Sequence, residues 1–326
     1  MAQSARIWIF YPPLSKMSGG MIVLLQLASQ LQSLGRLGGV LVWEKTVLTG
    51  LPVYQRGEAA LGQGDILLVP EGWPNAVSLG LRADCRVVIY CQNWAYLFHG
   101  LPPEVRWREL PVEFLAVSDP VAWYMEQVLG KKPAIIRPAI DTNVFYPPSA
   151  PLEQPVRIGF MPRKNKALAE QIRRIFRERN PRLPVKWESI DKLDRQGVAE
   201  KLRSCHVFLL TGFPEGCPLP PLEALASGCL CAGFTGFGGL DYMRQFVPEG
   251  WKHHSYPLRP VPWGGNGWWA MDFDALGAAR GLEKAVFTCL EKTPVAADNK
   301  TLLAHYSSAS QKREIISWLN GLASCQ

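Results

Sequence analysis

The sequence predicts an α/β protein of two doubly wound, Rossmann-like domains, each built on a parallel β-sheet. Three observations support this fold class. Short apolar runs alternate with helical stretches from Ile7 onward, a proline-rich segment interrupts them at residues 137–155, and the same alternation then begins again. An alternating βα pattern is typical of parallel sheets, and a turn-rich break between two such arrays indicates a domain boundary. A chain of 326 residues is long enough for two such domains.

The first array contains five apolar runs that predict strands. They are Ile7–Tyr11, Val40–Trp43, Ile66–Val69, Val87–Tyr90 and Phe114–Val117. A helix is predicted from about Met21 to Leu34, because apolar residues recur at helical spacing and Gly35 then ends the run. A second helix is predicted to begin after Ser118, whose side chain can cap it, and to end at Gly130.

The second array predicts a further sheet with its helices. Its strands are Val156–Met161, Val185–Ile190, Val207–Thr211 and Leu230–Phe234, and its helices are Ala167–Arg179, Arg195–Arg203 and Pro220–Ser227. Parallel sheets bind their ligands beyond the carboxyl ends of the strands. We therefore expect the two domains to face a common cleft.

Composition and charge exclude several classes of protein. Hydrophobic residues make up 48% of the chain, which excludes a disordered protein, and no apolar run reaches the ~20 residues of a bilayer span. The first residues lack the apolar stretch of a secretory signal, so we expect a cytoplasmic protein. Lys and Arg number 35 against 28 Asp and Glu, a net charge of +7. This surplus suits a nucleotide or a membrane surface, although composition alone favours a solvated basic surface without a specific partner.

The eight cysteines do not predict a metal site or a disulfide framework. They lie at positions 85, 91, 205, 217, 229, 231, 289 and 325. No Cys-x2-Cys pair occurs, and Cys229 and Cys231 fall on one face of a predicted apolar strand. We interpret the cysteines as buried thiols in a reducing compartment.

The segment from Phe213 to Gly228 contains the most informative candidate binding residues of the sequence. A strand ends, a loop presents Glu215, and a helix opens that carries Glu223 in its first turn. A helix start offers free N–H groups and a positive dipole end to a phosphate, while carboxylates at two elements can grip different hydroxyls of one ligand. For an isolated pair of glutamates, the alternative of a structural role in capping and at the surface has more weight.

This segment resembles the Glu-x7-Glu signature of family 4 retaining nucleotide-sugar glycosyltransferases, which have the GT-B fold. The matching residues are Glu215, Gly216, Leu219, Pro220, Glu223, Ala224, Ala226 and Gly228. Cys217 and Pro218 replace the family's Phe-Gly, which removes a glycine near the phosphate. Met161-Pro162-Arg163-Lys164-Asn165 is similar to a loop found in a bacterial subset of the family.

The resemblance extends over most of the chain, strongly in the second half and weakly in the first. Asp141–Phe145 is similar to the stretch that crosses between domains, residues 235–239 to the Gly-Gly loop, and residues 306–319 to a terminal helix that returns to the first domain. The resemblance implies an acceptor-side domain, 1–139 with helix 306–326, and a nucleotide-sugar-binding domain, 140–305.

Three cations follow the first strand of the second array: Arg163, Lys164 and Lys166. Cations at a strand end, just before a helix, can neutralise a diphosphate leaving group. The family has an arginine and a lysine here with a longer gap between them, so which lysine pairs with Arg163 stays open. Without the Glu-x7-Glu match, an ordinary solvated basic loop is the simpler interpretation.

The first array offers two further groups of candidate residues. Gly19 and Gly20 open a helix after the first strand, where the family carries a Gly-Gly loop that faces the donor. After the strand Val87–Cys91, where the family often has a histidine that contacts the donor sugar, this chain has Gln92 and Asn93, and whether they take over that role stays open. Their amides can bind sugar hydroxyls, and a helix-start role for the pair is equally consistent with turn chemistry.

Three other patterns predict less. Asp272-Phe273-Asp274 spells an Asp-x-Asp metal motif, but Asp274 precedes a helix from Ala275 to about Leu290, so a cap is the better interpretation. His253-His254 has no carboxylate-rich surroundings, which makes a metal site there a weak hypothesis. The tryptophans of residues 263–269 could stack on a sugar or pack inside the domain, and these two alternatives stay equal.

The resemblance implies a retaining glycosyltransferase that moves a sugar from a nucleoside-diphosphate sugar to a glycan, glycolipid or small-molecule hydroxyl. Glu215 and Arg163 would be catalytic, without a protein nucleophile. The implied donor-binding residues are Gly19, Gly20, Gln92, Asn93, Arg163, Lys164, Lys166, Glu215, Gly216, Cys217, Pro218, Leu219 and Glu223. No cofactor, metal or nucleic acid is expected, and contact with the inner membrane surface stays open. The alternative is a non-catalytic sugar-nucleotide or glycan-binding relative; a dehydrogenase ranks third, because the dinucleotide fingerprint is missing.

Overall fold

The structure, a computed structural model, describes residues 5–13, 18–246, 256–295 and 297–324. The chain divides into two compact units, residues 1–139 with 309–326 and residues 140–308. Each unit has its own parallel sheet, of seven strands in unit 1 and five in unit 2. The predicted fold class of two doubly wound parallel-sheet domains is confirmed.

Unit 1 is built on a seven-stranded sheet in the order β3-β2-β1-β4-β5-β6-β7. Its strands are β1 (Ile7–Phe10), β2 (Leu37–Val42), β3 (Val53–Gln55), β4 (Ile66–Pro70), β5 (Arg86–Cys91), β6 (Val112–Ala116) and β7 (Ala134–Ile135), and its first helices are α1 (Gly19–Ser33), α2 (Pro74–Arg82) and α3 (Asp119–Leu129). The central strands β1 and β4 are buried along their whole length, which explains their continuous apolar sequences.

The sequence predicted the buried elements of unit 1 and missed three peripheral ones. The cap at Ser118 is confirmed, because its hydroxyl accepts the N–H of Val121 at 3.4 Å, and Gly130 ends α3 in the left-handed conformation. The missed elements are β3, β7 and α2. The two strands are short and not buried, so they lack an apolar run; α2 follows a Gly-Trp-Pro turn that reads as loop.

Unit 2 has a five-stranded sheet in the order β12-β11-β10-β8-β9. Its strands are β8 (Val156–Phe160), β9 (Val185–Ser189), β10 (Val207–Leu210), β11 (Leu230–Phe234) and β12 (Trp268–Ala270); the helices are α4 (Lys166–Arg179), α5 (Arg195–Arg203), α6 (Leu219–Ala226), α7 (Ala275–Glu291) and α8 (Asn299–His305), and α9 (Ser308–Ser324) leads back into unit 1. The core lies where β8, β10 and β11 meet α4 and α7, with Val207, Phe234 and Leu282 fully buried.

The strand order of unit 2 reverses between β8 and β10, which are direct neighbours. From β8 the chain first adds β9 on one side, and then β10, β11 and β12 on the other. The loops that leave β8 and β10 therefore diverge and leave a crevice at the carboxyl ends of these two strands. In open α/β sheets this switch point is where ligands bind.

Candidate functional site

Two loops meet at the switch point of unit 2: the basic loop, residues 161–165 after β8, and the glutamate loop, residues 211–218 after β10. Lys164 Nζ lies 2.8 Å from Glu215 Oε1 and donates to the carbonyl of Pro214 at 3.2 Å. The Asn165 amide donates to the carbonyls of Thr211 and Phe213 at 3.0 and 3.1 Å. The structure thus brings together two loops that are about 50 residues apart in the sequence.

Arg163 and Lys166 differ from Lys164 in having no ion-pair partner within the described parts of the chain. Both side chains are exposed, and both line a groove of about 570 Å³ together with Phe160, Arg173 and Trp187. Lys164 is held by Glu215, so its charge is already offset. Of the three cations that the sequence predicts to bind a diphosphate, Arg163 and Lys166 are therefore the two that are open to an anion.

A third loop forms backbone hydrogen bonds with Glu215: the glycine loop, residues 235–239 after β11. The Glu215 N–H donates to the carbonyl of Gly236, and the Gly238 N–H donates to the carbonyl of Glu215, both at 3.0 Å. A side chain on Gly238 would bring its Cβ within 2.2 Å of the Gly216 carbonyl oxygen. Only glycine permits this approach, so the glycine loop fixes the backbone of Glu215.

The Asp-x-Asp sequence is divided between two structural roles. Asp274 caps α7 by accepting the N–H of Gly277 at 2.8 Å, as predicted. Asp272 accepts the N–H of Gly236 at 2.8 Å and so holds the glycine loop. Within the described residues no three His, Cys, Asp or Glu side chains gather as metal ligands, and His253-His254 lies outside those residues.

Helix α6 begins one residue earlier than predicted, at Leu219, with Pro218 as its N-cap. Prolines suit the first turn because their φ is preset. Pro218, Pro220 and Pro221 carry no N–H, so among the N-cap and the first three residues of α6 only Leu219 offers a backbone amide to a ligand. The predicted row of free amides is thus reduced to one.

Glu223 is the fifth residue of α6 and lies in its second turn, which corrects the predicted position in the first. Burial raises the pKa of its carboxyl group to about 7, and the positive charge of Arg195 opposes this shift. Across the described residues no group donates a hydrogen bond to the Glu223 carboxylate. A half-buried carboxyl group without donors suits a ligand hydroxyl, which can supply the missing bond.

The candidates of unit 1 follow β1 and β5. Gly19 and Gly20 open α1, and Ser18 caps it by accepting the N–H of Met21 at 3.3 Å. A Cβ on Gly20 would lie 2.2 Å from Gln92 Oε1, so the Gln92 side chain reaches the opening of α1. The Gln92 Nε2 atom is buried and has no acceptor in the described structure.

Asn93 has the helix-start role that was one of its two alternatives. Its side chain accepts the N–H of Ala95 at 3.1 Å and caps a 3₁₀ turn at Trp94–Tyr96, and the residue is buried. The sequence also missed Glu71, directly after β4, whose carboxylate accepts the amides of Gln92 and Asn93. Because β4 and β5 are parallel neighbours, a polar residue at the end of each could have indicated this contact.

The tryptophans of residues 263–269 pack inside unit 2. Trp263, Trp268 and Trp269 are buried, and the Trp263 indole donates to the carbonyl of Tyr242 at 2.9 Å. The seven described cysteines are free, and five of them are buried. Burial raises the pKa of the Cys229 and Cys231 thiols, which keeps them protonated. Among the described helices, none is long and apolar enough to cross a membrane.

Comparisons with known proteins support the fold. No family model matches the chain. A region of 185 residues is 27% identical to an alpha-1,6-glucosyltransferase of Actinobacillus pleuropneumoniae serotype 7, and it spans 55% of this chain and 56% of that protein. The match therefore covers only about half the length of that relative.

Solved structures of GT-B glycosyltransferases match almost the whole chain. Sucrose-phosphate synthase of Thermosynechococcus elongatus has a TM-score of 0.64 at 12% identity, over 99% of this chain and 100% of that one. Starch synthase IV of Arabidopsis thaliana, bound to ADP and acarbose, has a TM-score of 0.64 at 14% identity, over 98% of this chain and 99% of that one. The predicted GT-B fold is thereby confirmed.

Proposed function

We propose that this chain is a retaining glycosyltransferase of family 4, of the subset with a Met-Pro-Arg-Lys-Asn loop, that uses a nucleoside-diphosphate sugar as donor. One observation carries the proposal: Arg163 and Lys166, which flank Lys164 in the sequence, are exposed and have no ion-pair partner among the described residues, whereas Lys164 pairs with Glu215 at the switch point of unit 2. A crevice with free cations next to a fixed carboxylate suits a ligand that joins a diphosphate to a polyhydroxyl group. The likeness to a glucosyltransferase supports a hexose as the transferred group.

Each candidate donor-binding residue of unit 2 then has a role toward the donor. Arg163 and Lys166 bind the diphosphate, and the amide of Leu219, with its neighbours Gly216, Cys217 and Pro218, lines the path of the phosphates. Glu215 orients the sugar, with Lys164 holding its carboxylate in place at 2.8 Å. Glu223 accepts a hydrogen bond from the ribose, because its carboxyl group is half-buried and lacks a donor among the described residues.

The reaction we propose breaks the bond between the anomeric carbon and the diphosphate oxygen and forms a bond to the acceptor oxygen on the same face of the sugar. The acceptor proton leaves with the diphosphate. Negative charge develops on the leaving oxygen, and Arg163 and Lys166 offset it. The contribution of the protein is therefore positioning and charge stabilisation rather than a covalent intermediate.

Unit 1 is the acceptor-side domain in this proposal, and its amides bind hydroxyl groups. Gly19 and Gly20 leave the backbone accessible at the start of α1, and Gln92 offers an unpaired N–H. The acceptor is a glycan, a glycolipid or a small molecule. The net charge of +7 is compatible with a cytoplasmic protein that contacts an anionic membrane surface.

A second candidate function is the binding of a sugar nucleotide or glycan without turnover. The direct contact of Lys164 with Glu215 favours it, because a carboxylate held by a lysine is less available to a sugar hydroxyl. Cys217 and Pro218, in place of a more open Phe-Gly pair, point the same way.

The experiment that decides between them begins with a thermal-shift screen of nucleotides and nucleotide sugars, with UDP-glucose and ADP-glucose first. A ligand of the folded state raises the melting temperature. The donors that bind are then incubated with and without glycan and glycolipid acceptors, and free nucleoside diphosphate is measured. Release of diphosphate with transfer supports the enzyme; binding without release over long incubation supports the second candidate.

A further inference from the structure

Glu71 is a half-buried glutamate outside the residues given roles above. It follows β4 directly, and its two oxygens accept two consecutive backbone amides beyond the end of β5. Oε2 accepts the N–H of Gln92 at 2.8 Å, and Oε1 accepts the N–H of Asn93 at 2.9 Å. Both oxygens of one side chain are therefore bound to the Gln92–Asn93 segment.

This pair of bonds sets the direction of the chain where it leaves the sheet. Two amides held by one carboxylate cannot rotate independently, so the backbone on either side of the Gln92 side chain is fixed. The next residues are fixed as well, because Asn93 caps the 3₁₀ turn that follows. The Gln92 side chain thus starts from a rigid backbone and extends to the opening of α1 at Gly20.

The end of that side chain is the polar group that the protein leaves unused. Nε2 of Gln92 is buried, and no atom of the described residues accepts its hydrogens. A buried N–H without an acceptor destabilises the protein, and it is retained where a ligand supplies the acceptor. A hydroxyl oxygen of a sugar is an acceptor of this kind.

We propose that Glu71 is a positioning residue that holds the Gln92–Asn93 segment so that the Gln92 amide can donate to a hydroxyl oxygen of the substrate. This inference rests on the proposed function. The oxygen belongs to the transferred sugar or to the acceptor, and both share the chemistry of a polyhydroxyl ligand. Glu71 itself acts through Gln92 and does not contact the substrate.

The test uses the full chain with Glu71→Gln, which keeps the shape and removes the charge, and Glu71→Asp, which keeps the charge and shortens the reach. Glu58→Gln is the matched control, since Glu58 also accepts one backbone amide, of Gln55 at 2.8 Å, in an exposed turn of the same unit. Amide hydrogen exchange of Gln92 and Asn93 is the first readout. It should be about 10-fold faster or more in both Glu71 variants and unchanged in Glu58→Gln.

Kinetics and a double-mutant cycle give the second readout. Glu71→Gln should lower kcat/KM about 10-fold and leave the Kd of nucleoside diphosphate unchanged. If the KM of the donor rises, the oxygen that accepts from Gln92 belongs to the transferred sugar. If the KM of the acceptor rises, that oxygen belongs to the acceptor. Glu71→Gln combined with Gln92→Ala should lose no more activity than Gln92→Ala alone, because one residue acts through the other.

Unchanged exchange at Gln92 and Asn93 in both Glu71 variants would overturn the inference, and so would additive losses in the double mutant. If the wild-type chain transfers no sugar from any donor, the proposed function fails, and the exchange of the two amides still decides whether Glu71 positions the segment. A Glu71→Gln variant that does not fold leaves Glu71→Asp for the same measurements.

Discussion

Each unit holds one glutamate whose pKa burial raises to about 7, and the surroundings of the two differ: Glu71 directly follows the central strand β4, and Glu223 lies in the second turn of α6. Glu71 in unit 1 accepts two backbone amides, whereas Glu223 in unit 2 accepts none within the described structure and only senses the charge of Arg195. The two glutamates have a similar pKa shift but differ in the number of hydrogen bonds that their carboxylates accept. We infer from this difference that Glu71 holds the backbone of unit 1, while the Glu223 carboxylate is available to a ligand.

The same contrast holds for the residues around each glutamate. In unit 1, Asn93 is committed to a helix cap, and Gln92 keeps one unused N–H. In unit 2, Arg163 and Lys166 have no ion-pair partner in the part of the chain that the structure describes. Unpaired charges in a crevice indicate a charged ligand, and unpaired amides indicate a neutral one. Unit 2 is therefore the side where we expect the nucleotide diphosphate.

The largest effect is expected from Glu215→Gln, which keeps the shape of the side chain and removes its charge. Loss of a group that positions the reacting sugar should lower kcat by about 10²-fold. Nucleotide affinity should stay within about twofold, because Glu215 orients the sugar. Steady-state kinetics and nucleotide titration measure the two quantities. A variant with wild-type turnover would remove Glu215 from the reaction.

Arg163→Ala should weaken nucleoside-diphosphate binding by about 10–100-fold, the range of one or two charge-assisted hydrogen bonds. Binding of the nucleoside alone should change little, since it carries no phosphate. Arg177→Ala is the matched control, because Arg177 is also exposed on unit 2 and does not line the groove. Equal losses for nucleoside and diphosphate would contradict the assignment of Arg163.

The sequence could predict where the loops of this site lie, but it could not predict the individual contacts between residues that are far apart in the sequence. The loops of Arg163 and Glu215 were predictable, because each follows an apolar strand and the strand ends of a parallel sheet share one edge. The ion pair of Lys164 with Glu215 was not predictable, because Arg163, Lys164 and Lys166 are neighbouring cations and the sequence does not show which of them contacts the glutamate. Glu71 was missed because its partners are backbone amides, so the sequence marks this contact only by the polar residues that follow β4 and β5.

The fold shows the same limit. The continuous apolar runs of β1, β4 and β10 predicted buried central strands, because burial on both faces selects apolar residues at every position. β3 and β7 lie at the sheet edges, where partly exposed residues give no such run. The start of α6 shifted by one residue because three prolines among four residues, Pro218, Pro220 and Pro221, permit several helix starts.

Glu223→Ala should reduce nucleotide affinity about 10-fold, through loss of one charge-assisted bond to the ribose. Glu71→Gln should leave it unchanged, and this pair of variants tests the comparison of the two glutamates directly. Calorimetric titration with the same nucleoside diphosphate measures both. If both variants lose affinity equally, the distinction between an organising and a ligand-binding carboxylate fails.

In the absence of ligand, the stability of the Glu223→Gln variant relative to the wild type should increase as the pH rises. The unfolded Glu223 titrates near its ordinary pKa of 4.5 and the folded one near 7. Between these values the unfolded chain has lost a proton that the folded chain keeps, so wild-type stability falls with rising pH. The neutral variant escapes this loss, and its melting temperature relative to wild type should be a few degrees higher at pH 8 than at pH 5. An equal difference at both pH values would contradict the raised pKa.

The smallest effect is expected from removal of divalent metal. The carboxylates that could gather around the phosphates have other partners: Asp272 holds the Gly236 amide, Asp274 caps α7, and Glu215 contacts Lys164. A metal would need several such oxygens to converge. Arg163 and Lys166 instead offset the charge of the leaving diphosphate, so excess chelator should leave turnover nearly unchanged. Activity that is abolished by chelator and restored by magnesium or manganese would overturn this assignment, and Asp272→Asn would then be the first variant to examine for loss of that metal.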